Sequence, residues 1–162
     1  AEKIFIHTVI TKTNFEQITD LVEEWYGTKV KGIKFSFYTP MPMNGIEDPF
    51  YIESPERDQI IRNILELKKT FGDFILMSKK ELELFKSTNF RKVIDDNPRD
   101  EKNCLLKKGA VLSLDSNGET KYPCVMGEMD CSRCGCTIPY MLHAVLLEKD
   151  WESMKILAKT FF

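Results

Sequence analysis

Four of the five cysteines of this 162-residue chain lie within the thirteen residues Cys124–Cys136. Cys131 and Cys134 are separated by two residues, and Gly135 alone separates Cys134 from Cys136. An odd number of cysteines is unusual for a disulfide framework, and in a reducing compartment clustered cysteines are more often metal ligands or catalytic thiols. The cluster therefore predicts a thiolate metal site at Cys131, Cys134 and Cys136, completed by other cysteines.

The other two cysteines lie at opposite ends of a predicted β-hairpin. Its strands are Ala110–Asp115 and Glu119–Tyr122, joined by Ser116–Gly118, and Asn-Gly between strand-like runs is a strong hairpin signal. An antiparallel hairpin brings its ends together, so Cys104 and Cys124 are predicted to be neighbours.

Two such pairs of thiolates are equally suited to zinc and to an iron–sulfur cluster, so the spacing of the cysteines does not distinguish the two. The spacing also does not identify which four of the five cysteines are ligands. Two alternatives remain. The cysteines could be buried thiols, with or without one disulfide, or Cys131–Cys134 could be a redox motif.

Length and composition are typical of a globular protein with one hydrophobic core, or with one core and a small additional subdomain. Hydrophobic residues make up 43% and charged residues 30%, with a formal net charge of −2. This balance argues against a nucleic-acid-binding surface. No apolar run approaches a membrane span, and no signal peptide is recognisable, so a cytoplasmic location is predicted. The start at Ala1, directly before a strand, suggests a piece of a longer protein.

The first part of the chain has the pattern of alternating strands and helices. Apolar runs predict strands at Lys3–Ile10, Gly32–Tyr38 and Phe74–Met77. The first of these runs, Lys3–Ile10, has no strict alternation of apolar and polar residues, which is typical of a strand in a parallel sheet with both faces covered. Predicted helices begin after the caps Asn14, Ser54 and Ser78. The sequence also predicts one or two further helices over Pro139–Leu147 and Asp150–Phe161.

A polar stretch, Asp95–Asn103, predicts a boundary between residues 1–95, an α/β framework, and residues 96–162, a cysteine-rich extension. The segment Thr39–Gly45 contains two prolines and cannot continue the second strand. It is predicted either to line an active site or to be a plain connector. His7 and His143 are more consistent with core residues than with ligands. Dinucleotide, P-loop, HExxH and GxSxG motifs do not occur.

In this order the parts resemble the second half of a radical SAM (S-adenosylmethionine) enzyme. The strand Phe5–Ile10 followed by Asn14, and the strand Gly32–Phe37 followed by Tyr38–Pro42, resemble the fifth and sixth βα units of that family's partial (βα)6 barrel. The hairpin ending in Tyr122–Cys124 and the run Cys131–Cys136 are similar to the extension of the adenosylhopane-forming enzymes and, more loosely, to SPASM and twitch domains.

The resemblance implies an α/β fold: the last βα units of a TIM-like barrel, then a small cysteine-rich hairpin and helix extension. It implies an auxiliary 4Fe–4S cluster on Cys104, Cys124, Cys131 and Cys134, with Cys136 as the alternative ligand. Loops that include Asn14, Thr39 and Pro40 would line the SAM and substrate cavity.

The family's CxxxCxxC motif and GGEP-like segment do not occur in this chain. The implied partner is therefore a missing N-terminal half of the barrel, which with this half would cleave SAM to a 5′-deoxyadenosyl radical that acts on an unknown substrate. This half alone is expected to be inactive. The rival interpretation is a structural zinc-binding α/β module with a binding role, and zinc is also an expected occupant of the isolated chain.

Overall fold

A computed structural model describes residues 3–41, 47–96, 99–121, 124 and 129–161. Strand β1 is Ile4–Ile10, helix α1 is Ile18–Trp25 and strand β2 is Val30–Phe37. Helices α2, Ser54–Phe71, and α3, Lys79–Phe85, follow. The chain ends in helices α4, Thr137–Leu146, and α5, Trp151–Phe161. Short 3-10 turns occur at Phe15–Gln17, Gly72–Phe74, Phe90–Lys92 and Cys131–Arg133.

Strands β1 and β2 pair in parallel, with Ile10 opposite Phe37, and α1 connects them. The predicted mixed α/β fold with a parallel sheet is confirmed. The predicted third strand, Phe74–Met77, is wrong: Phe74 ends a 3-10 turn, and Ile75 forms only an isolated parallel bridge to Ile33. The carbonyl of Ile75 accepts a hydrogen bond from the buried ammonium of Lys68 at 3.0 Å, which occupies an acceptor that a longer strand would use.

The two faces of the sheet differ in their environment. Side chains of one face join the main core with α1 and α2; the central members of this core are Ile10, Ile33, Phe35, Ile61, Ile64 and Val22. On the other face, His7 and Val9 are exposed, and His7 Nε2 lies 3.1 Å from Ser36 Oγ. The prediction that both faces of the first strand are covered is therefore wrong for the described residues, whereas β2 is buried at six of its eight positions.

Only one of the three predicted helix caps is observed. Ser78 caps α3, because its hydroxyl accepts a hydrogen bond from the Glu81 N–H at 2.9 Å. Ser54 is instead the first residue of α2, with Glu53 at the cap position. Asn14 does not cap a helix: its side chain accepts from the Thr11 N–H and donates to the Val9 carbonyl, so the carboxamide is used within its own loop.

The predicted hairpin turn is confirmed, but its strands are shorter than predicted. Leu114 and Thr120 form one antiparallel bridge around the turn, and Gly118 has a positive φ of 82°. Leu112 is 69% exposed and Leu114 is 56% exposed, so no packed surface extends the pairing in the described residues. Tyr122, the predicted end of the second strand, lies outside the described residues.

Helix α4 connects the cysteine segment to the core. The Tyr140 ring stacks on Phe85 of α3 with centroids 3.7 Å apart, and Tyr140 is fully buried. The predicted C-terminal helical structure is confirmed and consists of two helices, since α4 begins at Thr137 and α5 at Trp151. None of the helices in the described part of the chain has the length and apolar character that crossing a membrane requires.

The environment of His143 on α4 predicts that the stability of the fold depends on pH. Burial lowers the pKa of this imidazole; Glu148 opposes the shift, and Lys80 and Lys92 reinforce it. A lowered pKa in the folded state means that stability is complete above the unfolded pKa of about 6.5 and is lost as pH falls through the folded value. We expect the unfolding free energy to decrease on acidification, and His143→Gln to reduce that slope.

Urea unfolding at several pH values measures this slope. The only other histidine in the sequence is His7, and burial and the ammonium of Lys34 lower its pKa as well. His7→Gln is therefore expected to reduce the slope too, and the variant that lacks both histidines is expected to reduce it more than either single replacement. An unaltered slope in the His143 variant would contradict the assignment.

Candidate metal centre

All five cysteines line one small cavity between α4 and the segment that follows α3. Its volume is about 20 Å³, which is room for one particle the size of a water molecule. The remaining wall is apolar except for Asp95 and Lys107. All five thiols are free of disulfide bonds. Residues that are distant in sequence thus contribute sulfur to one place.

Cys104 is positioned by the buried carboxylate of Asp95. One oxygen of Asp95 accepts from the N–H groups of Lys102 at 3.2 Å and Asn103 at 2.8 Å, and the other accepts from the Cys104 N–H at 3.3 Å. Asp95 thereby folds the following segment into a turn that ends at the thiol. The polar stretch predicted as a linker begins with this buried residue.

The CxxC segment is a short capped turn. The Asp130 carboxylate accepts from the Ser132 N–H at 3.0 Å and from the Ser132 hydroxyl at 2.6 Å. The Cys134 N–H closes the turn by donating to the Cys131 carbonyl at 3.3 Å. A turn of this kind lets two nearby cysteines direct their sulfurs to one site, and both thiols line the cavity.

Gly135 docks the cysteine segment on the carboxyl end of β2. The Phe37 N–H donates to the Gly135 carbonyl at 2.9 Å, and the Gly135 N–H donates to Thr39 Oγ1 at 2.8 Å. A Cβ on Gly135 would lie 2.1 Å from the Phe37 carbonyl oxygen, so only glycine allows this approach. The Asp130 N–H adds a bond of 3.1 Å to the Pro40 carbonyl.

Two of the three residues predicted to line a ligand cavity therefore hold the cysteine segment. Thr39 binds Gly135 through its side chain, and Pro40 binds Asp130 through its carbonyl. Thr39 also lines a second cavity, of about 340 Å³, on the open face of the sheet, together with His7, Val9, Ser36 and Cys136. Cys136 borders both cavities, whereas Asn14 forms hydrogen bonds within the loop after β1.

Burial disfavours the thiolate form of Cys104, Cys131, Cys134 and Cys136. It raises the pKa of Cys104, Cys131 and Cys134, and it raises the pKa of Cys136 to about 11. The ammonium of Lys107 opposes the shift at Cys104 and Cys131. A metal that binds here must displace protons from the thiols, so its binding depends on pH.

Two buried cations beside the cysteines were not anticipated from the sequence. Lys107 and Asp95 form an ion pair at 3.2 Å with both side chains 1% exposed. Arg57 donates from Nη1 to the Cys134 carbonyl at 3.4 Å and lies over the Phe37 ring, 5.0 Å from its centroid. Lysine and arginine are mostly exposed in folded proteins, and no local pattern marks these two as buried.

Among the described residues, no group of three or more histidine, cysteine, aspartate or glutamate side chains is arranged to hold a metal ion. The cavity brings together sulfur atoms, which are the donor type that zinc and iron–sulfur clusters bind. Comparison with protein-family models, curated proteins and solved structures gives no match.

Proposed function

We propose that the chain is the second half of a radical SAM enzyme and that its cysteines hold an auxiliary iron–sulfur cluster. The observation that carries this proposal is the location of the five thiols: they surround one cavity, and Gly135 attaches them to the carboxyl end of a parallel strand. In barrels of βα units this end of the strands carries the chemistry. A metal site used only for folding has no need of that position.

The sheet supports the barrel interpretation. Strands β1 and β2 are parallel neighbours with a helix between them, which is one βαβ unit. Its open face carries His7, Val9 and Ser36 around the 340 Å³ cavity. We propose that an N-terminal half of the barrel covers this face, and that SAM and an unknown substrate bind between the halves.

In this proposal Cys104, Cys124, Cys131 and Cys134 hold the cluster, and Cys136 is the alternative ligand. A bound 4Fe–4S cluster supplies one-electron chemistry or a site for substrate. The protein positions it: Asp95 fixes Cys104, Asp130 fixes the CxxC turn, and Gly135 and Thr39 fix the turn against β2. The isolated chain has no means of cleaving SAM and is expected to be inactive. A reducing cytoplasm would keep the thiols available.

A structural zinc site is the second candidate, and the small cavity favours it. A cavity of about 20 Å³ has room for a single ion, whereas a four-iron cluster requires the sulfurs to move apart. In this alternative the chain is a binding module on an α/β scaffold. The two candidates use the same thiols and differ in metal content.

Anaerobic reconstitution with iron and sulfide separates the candidates. The first predicts about four iron and four sulfide per chain, with absorbance in the visible region, and Cys131→Ser is expected to remove most of both. Cys136→Ser is expected to retain the cluster if Cys136 is the spare thiol. About one zinc per chain that iron does not replace supports the zinc module instead. Less than one iron per chain under strictly anaerobic conditions contradicts the cluster.

The coding sequence upstream of Ala1 gives a second test. A CxxxCxxC motif is expected there, about the length of one half-barrel before Ala1.

A further inference from the structure

Arg57 is a buried cation that forms no ion pair with a carboxylate in the described part of the chain. It is the fourth residue of α2 and is 4% exposed. Two buried lysines differ from it in this respect. Lys68 pairs with Glu152 at 3.0 Å, and Lys107 pairs with Asp95 at 3.2 Å. Burying a charge without a partner is strongly unfavourable, so Arg57 indicates a place where a ligand supplies the negative charge.

The guanidinium of Arg57 is positioned by two contacts, which leave one of its edges unused. Nη1 donates to the Cys134 carbonyl at 3.4 Å, and Cζ lies 5.0 Å from the centroid of the Phe37 ring. Nε and Nη2 are buried and have no hydrogen-bond partner among the described residues. These two nitrogens form one edge of the planar group, with parallel N–H bonds. Such an edge matches two oxygens of a carboxylate or of a phosphate, so the unused donors indicate an oxyanion.

A second guanidinium lies near the first, at the ring of Tyr51. Cζ of Arg57 is 5.6 Å from the centroid of this ring, and Cζ of Arg133 is 4.7 Å from the same centroid. Tyr51 is 7% exposed, whereas the side chain of Arg133 is 42% exposed. Arg133 is therefore the arginine that faces solvent. An anion that approaches Tyr51 from solvent meets Arg133 before it meets Arg57.

The acidic side chains near Tyr51 do not neutralise Arg57. Asp130 and Glu53 are close enough to act on the Tyr51 hydroxyl through their charge. The Asp130 carboxylate lies 3.7 Å from Nε of Arg133, and the hydrogen bond that Arg57 makes in the described chain is to a carbonyl. Asp130 thus compensates the charge of Arg133, and the charge of Arg57 stays available to a ligand.

We propose that Arg57 and Arg133 bind a small oxyanion, a carboxylate or a phosphate group, beside the last residue of β2. The Nε–Nη2 edge of Arg57 binds two oxygens of the anion, Arg133 adds a second positive charge, and Tyr51 forms the wall between them. The site goes beyond the proposed function and is independent of the metal centre, because it uses no cysteine side chain. A ligand that occupies it carries an anionic group.

Titration of the whole chain with inorganic phosphate and, separately, with acetate tests this site at constant ionic strength. The NMR resonance of the Arg57 Nε–H is expected to move downfield and to saturate. Arg57→Met is expected to weaken binding by about tenfold or more, because hydrogen bonds to charged groups are the stronger ones. Arg62→Met is the matched control, since Arg62 is an exposed arginine of the same helix. Its affinity is expected to stay within about twofold of wild type.

The comparison of the two anions and of a third variant completes the test. Tighter binding of phosphate indicates a phosphorylated ligand, and tighter binding of acetate indicates a carboxylate. Arg57→Lys keeps the charge but lacks the two parallel N–H groups, so it is expected to recover only a small part of the affinity. If Arg57→Met does not fold, Arg57→Lys takes its place in the comparison.

Two results would overturn the proposal. One is an Arg57 Nε–H resonance that neither anion moves. The other is equal affinity of the Arg57 and Arg62 variants, which would assign the binding to adventitious contacts at the surface. Neither result bears on the iron or zinc content of the chain, so failure of this site is distinguishable from failure of the proposed function.

Discussion

Gly135→Ala is expected to lower the free energy of unfolding by about 4 kcal/mol and to abolish metal binding. The added Cβ would lie 2.1 Å from the Phe37 carbonyl oxygen and 2.4 Å from its carbonyl carbon, far inside contact distance. Both atoms are backbone atoms of a buried residue at the end of β2, so the clash cannot be relieved by a rotamer change. The cysteine segment must instead leave β2 and break its two hydrogen bonds to Phe37 and Thr39.

Thermal or urea unfolding and metal stoichiometry measure this effect. Gly27→Ala is the matched control, because Gly27 has a positive φ of 81° but nothing within 4 Å of an added Cβ. Its cost is limited to backbone strain of about 1–2 kcal/mol, without loss of metal. If Gly135→Ala binds metal as wild type does, the docking of the cysteine segment on β2 is wrong.

Asp95→Ala is expected to destabilise the chain by about 3–5 kcal/mol, because removing one partner of a buried ion pair leaves the other charge uncompensated. Lys107 would remain in the cavity with its ammonium unpaired on that side, and the N–H groups of Asn103 and Cys104 would lose their acceptor. The turn that carries Cys104 is expected to open, so metal binding should weaken along with stability.

The neighbouring residue supplies the control for this experiment. Asp96 is 73% exposed and pairs with Arg91 at the surface, so Asp96→Ala is expected to change stability by less than about 0.5 kcal/mol. Urea unfolding of the two variants side by side measures the difference. Similar, small effects of both replacements would show that the Asp95–Lys107 pair does not organise the site.

Predictions from the local sequence were correct where the structure of an element depends on its own residues. Three predictions rested on residues that are adjacent in the sequence, and all three features are observed. They are the strand β1, the helix cap at Ser78 and the turn at Gly118. The predictions failed where another group takes the hydrogen-bonding atom that the predicted element would use. Asn14 bonds to its own loop and not to a helix, and the Ile75 carbonyl is taken by Lys68, which reduces a predicted strand to one bridge.

The sequence by itself determined which atoms are available to the site. Cysteine spacing and the Asn-Gly turn indicated that the five thiols belong together, because close pairs and hairpin ends converge for local geometric reasons. Only the tertiary structure decided where they converge and what surrounds them. Gly135 meets β2, and Lys107 is buried beside Cys131, through contacts between elements far apart in the chain. Such contacts depend on the packing and desolvation of the whole fold, so they cannot be predicted from a short segment of sequence.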